Sequence, residues 1–169
     1  GQDLMSQQTA ATLPDELVLF TTYADTCSPL RCATTLQPVP LFWLPSGTTD
    51  HEALIRWQLQ FQALDEIQLQ QTRVLQKTAE NSLQQFHSKL NRQGRKLAAT
   101  LAKANNKPVF YALYSGSSDD CSAETAKSCP GCAGNWRLTA PQAGIFDFRC
   151  DNCQLLSNIA WECQSNSGE

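Results

Sequence analysis

Apolar residues along this chain follow two different periods. Leu17-Val18-Leu19-Phe20-Thr21-Thr22-Tyr23 is a short run of β-formers ending where Asp25, Ser28 and Pro29 supply turn chemistry, so it predicts a strand running into a loop. Residues 39–44 form a second apolar run, which Pro38, Pro40 and Pro45 restrict to an edge strand or plain extended chain. From His51 the spacing becomes helical: Leu54, Trp57, Leu59, Phe61, Leu64 and Ile67 recur with no Pro or Gly between them, and Asp50 is placed as N-cap. The pattern continues through Leu69, Val74, Leu75, Leu83, Phe86 and Leu90, and its length predicts a break between Gln70 and Asn81. Asn91 is placed to cap a further helix reaching about Ala104, where Asn105-Asn106-Lys107-Pro108 stops it. Residues 109–114, Val-Phe-Tyr-Ala-Leu-Tyr, are the clearest strand.

Beyond a polar stretch, Cys129, Cys132, Cys150 and Cys153 form two Cys-x-x-Cys pairs with 17 residues between them. That pattern points to one zinc ion. A two-residue spacer lets both sulfurs of a pair face one ion from a tight turn, and the intervening segment allows an out-and-back strand pair. Pro130, Gly131 and Gly134 in the first turn supply a preset φ and tolerance of positive φ, and Asp151 and Asn152 do turn work in the second. Two disulfides in a secreted domain are the alternative. Trp136, Phe146 and Phe148 sit on the arms and are expected to pack rather than stack on bases, since so small a module needs its large apolar groups. A third arm is expected after the second pair, where Leu155, Leu156, Ile159 and Trp161 cover the metal.

The expected fold class is therefore α+β, a mainly helical N-terminal domain with short strands joined to a C-terminal all-β zinc ribbon. Residues 1–13 are expected to be disordered, 14–114 to form the α+β domain, 115–128 a flexible linker, 129–163 the ribbon and 164–169 a disordered tail.

A formal net charge of −3 argues against a chain that binds polyanions over its whole surface. The charge is unevenly placed. Six of the thirteen basic residues, Lys89, Arg92, Arg95, Lys96, Lys103 and Lys107, fall in one segment without acidic residues, leaving seven basic against sixteen acidic elsewhere. At about 100° per residue the six lie within about 60° either side of Arg92, with Leu90, Leu97, Leu101 and Ala104 opposite. Such a stripe suits successive phosphates of RNA or DNA. The plainer alternative is a solvated face balancing acidic residues such as Asp65, Glu66 and Glu80.

The ribbon residues 129–138, 144–153 and 156–161 together resemble a bacterial family of unknown function described as zinc-ribbon proteins with a suggested nucleic-acid-binding role. Ser28-Pro29-Leu30-Arg31-Cys32, Val39-Pro40-Leu41-Phe42 with Leu44-Pro45, residues 90–95 and residues 111–114 are similar to shorter motifs of that family. The resemblance implies zinc, suggests nucleic acid and supplies no catalytic residues. That family often has a further cysteine after the position of Cys32, where this chain has Ala33-Thr34-Thr35-Leu36, so a second metal site is not implied.

Little supports an enzyme. His51-Glu52 lacks the second histidine of a zincin helix, Ile55 standing in its place, and His87 has no nucleophile or carboxylate at a fixed spacing. Cys27, Cys32, Cys121 and Cys163 show no metal-ligand or redox spacing. The chain is expected to be cytoplasmic, with no membrane span, no small-molecule substrate, one structural zinc, and either nucleic acid or a protein as partner; the ribbon or a Gln-rich helix (Gln58, Gln60, Gln62, Gln68, Gln70, Gln71) is the surface expected to dock on the latter.

Overall fold

Three parallel strands make the centre of the molecule in a computed structural model that describes residues 12–44, 50–70 and 75–165. β1 (Leu17–Leu19) lies parallel to β3 (Val109–Leu113), and β3 lies parallel to β6 (Leu155–Ser157), with Leu17 opposite Val109 and Tyr111 opposite Leu155. All three are buried along their length, which explains why they read as unbroken apolar runs rather than as alternation. β2 (Leu30–Cys32) adds antiparallel to β1. β5 (Phe146–Cys150) adds antiparallel to β6, and β4 (Arg137–Gln142) forms the far edge, giving one six-stranded sheet of order β2-β1-β3-β6-β5-β4. The mixed α+β class is as expected.

Three helices cover one face: α1 (His51–Leu69), α2 (Gln76–Gln84) and α3 (Lys89–Asn105). Asp50 caps α1 as predicted, accepting the Ala53 N–H at 2.9 Å, and the α1–α2 break falls inside the predicted interval. The cap of α3 differs from expectation. Ser88 Oγ accepts the Asn91 N–H at 3.2 Å, and Asn91 is instead fully buried. Its amide donates to the carbonyls of Leu83 and Gln85 at 2.9 and 2.8 Å, and its Oδ1 accepts from the Tyr111 hydroxyl at 2.6 Å. One side chain thus closes the end of α2, the start of α3 and the centre of β3, with every bond satisfied. Gly94 permits the close approach of α3, because a Cβ there would stand 2.7 Å from Trp57 Nε1 and collide with the Tyr111 ring.

Three sequence expectations require correction. Residues 39–44 do not form a strand: Pro40 starts a 3-10 turn over Leu41–Trp43, and pairing is limited to a bridge between Arg31 and Pro38. Residues 115–128 are packed rather than a free linker. They contain α4 (Cys121–Thr125), capped by Asp120, and the buried Glu124 carboxylate accepts from the Ser115 hydroxyl and the Ala160 N–H. Finally, the ribbon is not set apart from the helical part, because its third arm is β6, which runs between β3 and β5 within the same sheet. At the termini, Leu13 packs on the core and residues 164 and 165 belong to α5 (Trp161–Ser165); residues 1–11 and 166–169 lie outside the described residues. No helix among the described residues is long and apolar enough to cross a membrane.

Candidate metal centre

The β4–β5 hairpin returns the second cysteine pair to the first. Ala143 and Gly144, with φ of 53° and 76°, make the tight two-residue turn of positive φ that suits twisted antiparallel strands. Cys129 and Cys132 precede β4, Cys150 ends β5 and Cys153 follows it, so the hairpin ends carry the pairs. The four Sγ atoms all lie within 4.8 Å of one another. In each Cys-x-x-Cys turn a backbone N–H donates to the first sulfur, from Gly131 two residues on to Cys129 Sγ at 3.4 Å and from Cys153 three residues on to Cys150 Sγ at 3.3 Å, and the residue after each second cysteine is left-handed (Ala133 φ 61°, Gln154 φ 53°). Positive φ therefore falls on Ala133 rather than on the expected Gly131 or Gly134. Gly131 is needed for space instead, since a Cβ there would lie 2.7 Å from Cys153 Sγ.

This donor set can hold one metal ion. The Gly134 backbone and neighbouring thiols hold Cys132 down to about 7, whereas burial and the adjacent sulfurs push Cys150 up and Cys153 up to about 12. Four thiols so close resist losing all their protons, and a divalent cation at the centre reverses that preference.

The aromatic residues of the ribbon pack, as expected. Trp136 and Phe148 stack with centroids 5.0 Å apart, both buried, and Trp136 Nε1 donates to the Lys127 carbonyl at 2.9 Å. Leu155 and Ile159 join the core beside the cysteines, while Leu156 faces the other side of the sheet. Trp161 does not join that cluster; it is half exposed and lies beside Phe20 and Phe61. A covering group that sequence reasoning missed is Phe86. Its ring meets the Gly131 turn and carries the Arg95 guanidinium 3.7 Å above its centroid, with Arg95 donating to the Phe86 carbonyl at 3.0 Å. Burial against Phe86 lowers the Arg95 pKa from its ordinary value.

The basic stripe is thereby redistributed. Lys89, Arg92, Lys96 and Lys103 are exposed along one face of α3 and make no ion pair among the described residues, whereas Lys107 pairs with Asp15 at 3.8 Å. The acidic residues expected to balance them point elsewhere: Asp65 accepts from Tyr23 N–H, Glu66 from Gln70, and Glu80 faces Lys77. Of the four remaining cysteines, Cys121 and Cys163 form a disulfide joining α4 to α5, and Cys27 and Cys32 are free. No spacing rule announces a bond between cysteines 42 residues apart.

A model of the domain of unknown function DUF2310 matches residues 11–114, and one of the domain of unknown function DUF8594 matches residues 118–163. Two uncharacterised proteins of Haemophilus influenzae are each 34% identical over 163 residues, or 95% of this chain. The match spans 80% of one relative's length and 62% of the other's. No solved structure matches. The basic helix thus falls in the first matched segment and all four clustered cysteines in the second.

Proposed function

Since the chain belongs to the family defined by the DUF2310 domain, with its cysteines in a DUF8594 segment, we propose that it is a non-enzymatic zinc-ribbon protein that binds nucleic acid through α3. Zinc fits the donor set. A tetrahedron with zinc–sulfur bonds of about 2.3 Å has sulfur–sulfur edges of about 3.8 Å, whereas a disulfide spans about 2.05 Å. Cys132 and Cys150 sulfurs are 3.7 Å apart. Cys129, Cys132, Cys150 and Cys153 would hold the ion; four thiolates leave no coordination position for water, so its contribution is folding free energy rather than Lewis-acid chemistry.

The observation that supports nucleic acid is the exposed row Lys89, Arg92, Lys96 and Lys103, which makes no ion pair among the described residues. These residues follow one face of a 17-residue helix, about 25 Å long at about 1.5 Å per residue. A row of separate cations at that scale attracts a phosphate backbone without reading bases. Trp136 and Phe148 are buried and offer no stacking platform, so the attraction rests on phosphate contacts, which carry no sequence information.

The test is fluorescence anisotropy with mixed-sequence single-stranded RNA and double-stranded DNA between about 50 and 200 mM salt. Three to four phosphate contacts predict a slope of log K against log salt of about −3, and Lys96→Glu with Lys103→Glu should flatten it and weaken binding at low salt. Absence of binding at low salt, or an unchanged slope in the double variant, would overturn the reading. A partner captured in a salt-tolerant complex, with no such slope, would favour a protein ligand.

A further inference from the structure

The three parallel strands end at a common edge, and a cavity of about 70 Å³ opens there. This carboxyl edge is where open sheets with parallel strands usually receive ligands. Its wall is aromatic. Phe61 meets Tyr114 edge-on with centroids 6.5 Å apart, Phe20 meets Phe146 edge-on at 5.9 Å, and the half-exposed Trp161 stands at the rim. Trp161 is held in place from two sides, by its backbone N–H to the Ser115 carbonyl at 3.3 Å and by the disulfide that fixes α5 to α4.

Among these rings lies the Asp65 carboxylate, 6% exposed. It accepts from Tyr23 N–H at 3.0 Å and from Gln68 Nε2 at 3.1 Å, about half of the acceptor positions a carboxylate offers. No cation pairs with it among the described residues, and burial raises its pKa above the ordinary carboxylate value. Among the described residues no Lys, Arg or His lines the cavity, so an anion would meet there only the negative charge of Asp65. A buried carboxylate without a cationic partner among the described residues, in a cavity whose wall is otherwise aromatic, is complementary to an organic cation.

We propose that this cavity binds an organic ammonium group, with Phe20, Phe61, Tyr114 and Trp161 around the cation and Asp65 as its counter-ion. The size limits the ligand. A water occupies about 10–15 Å³ on the same measure, so the space accepts a head group of a few heavy atoms, such as a methylated or alkyl ammonium, with any longer chain leaving through the rim.

The experiment is a chemical-shift titration of the whole, metal-loaded and disulfide-intact protein with choline, and in parallel with its neutral isostere 3,3-dimethylbutanol. Choline should shift the amides of residues 20–22, 113–115 and 158–161 and bind about tenfold more tightly than the isostere. Asp65→Asn and Trp161→Ala should each weaken choline binding about tenfold while leaving the isostere within about threefold. Equal affinity for choline and the isostere, or choline leaving those amides unmoved, would overturn the proposal. Should Asp65→Asn fail to fold, Trp161→Ala decides, because Trp161 is half exposed and outside the core clusters; unchanged choline affinity in that variant would also overturn it.

Discussion

Replacing Gly131 by alanine sets a methyl group against the ligand set. The new Cβ would lie 2.7 Å from Cys153 Sγ and 3.3 Å from Cys153 Cβ, with Phe86 Cζ 3.5 Å away on another side. Apolar carbon contacts rest at roughly 3.5–4.0 Å and sulfur is larger than carbon, so the thiolate must retreat by about 1 Å. That is about five times the 0.2 Å tolerance of a sound metal site. Cys153 has little freedom to move, since its N–H is bonded to Cys150 Sγ and the next residue is already left-handed. Disturbing groups that merely orient a ligand costs about 10–100-fold in metal affinity, and displacing the ligand itself costs more. We therefore expect Gly131→Ala to weaken zinc binding at least about 100-fold, or about 2.7 kcal/mol. Competition against a chromophoric chelator under reducing conditions measures this, with circular dichroism in excess zinc as the folding control. Gly134→Ala is the comparison: its Cβ meets Cys132 Sγ at 3.3 Å, a contact that the exposed thiol can relieve, so its affinity should stay within about tenfold of wild type. Wild-type affinity in Gly131→Ala would refute the geometry of the centre.

Three further predictions concern the fold. Asn91→Ala leaves the Tyr111 hydroxyl and the Leu83 carbonyl without the Asn91 amide inside the core, while the Gln85 carbonyl keeps the Ser88 N–H, so denaturant unfolding should show a loss of about 2–4 kcal/mol. Cys121→Ser with Cys163→Ser opens a 42-residue loop, which chain entropy values at about 4 kcal/mol without metal; with zinc already closing the inner loop the loss should drop to about 3 kcal/mol, as paired melts would show. Disulfides persist in oxidising compartments and open in the reducing cytoplasm, so thiol trapping of freshly isolated protein reports where the chain resides. Burial holds the Asp65 carboxyl above its unfolded value of about 3.9, so across that interval the folded chain binds more proton and stability falls as pH rises. Asp65→Asn should remove that slope from a series of melts at stepped pH.

How far the sequence spoke depended on the range of each interaction. The cysteine pairs, the Asp50 cap and the α1–α2 break were legible because each is decided within a few residues. Asn91 looked like a cap because its residue type suits one, yet Ser88 three residues earlier takes the role and frees Asn91 to join α2 to Tyr111; only the tertiary neighbours decide between them. A third arm after Cys153 was legible, but its place beside β3 was not, for a related reason. Leu155-Leu156-Ser157 is too short to announce a strand, and its parallel partner is over forty residues away, so the continuity of the sheet through the ribbon could not be read locally. The basic stripe was legible as a face, but not the loss of Arg95 to the ring and carbonyl of Phe86. Asp65 looked like one more helix acid until the fold surrounded it with rings.

Everything proposed for the ribbon rests on four thiolates sharing one ion. Elemental analysis of protein purified with its thiols protected tests that directly: we predict one zinc per chain, lost with the folded hairpin signals when Cys129 and Cys150 are both changed to serine. Well under one zinc per chain in fully reduced, folded protein would contradict it.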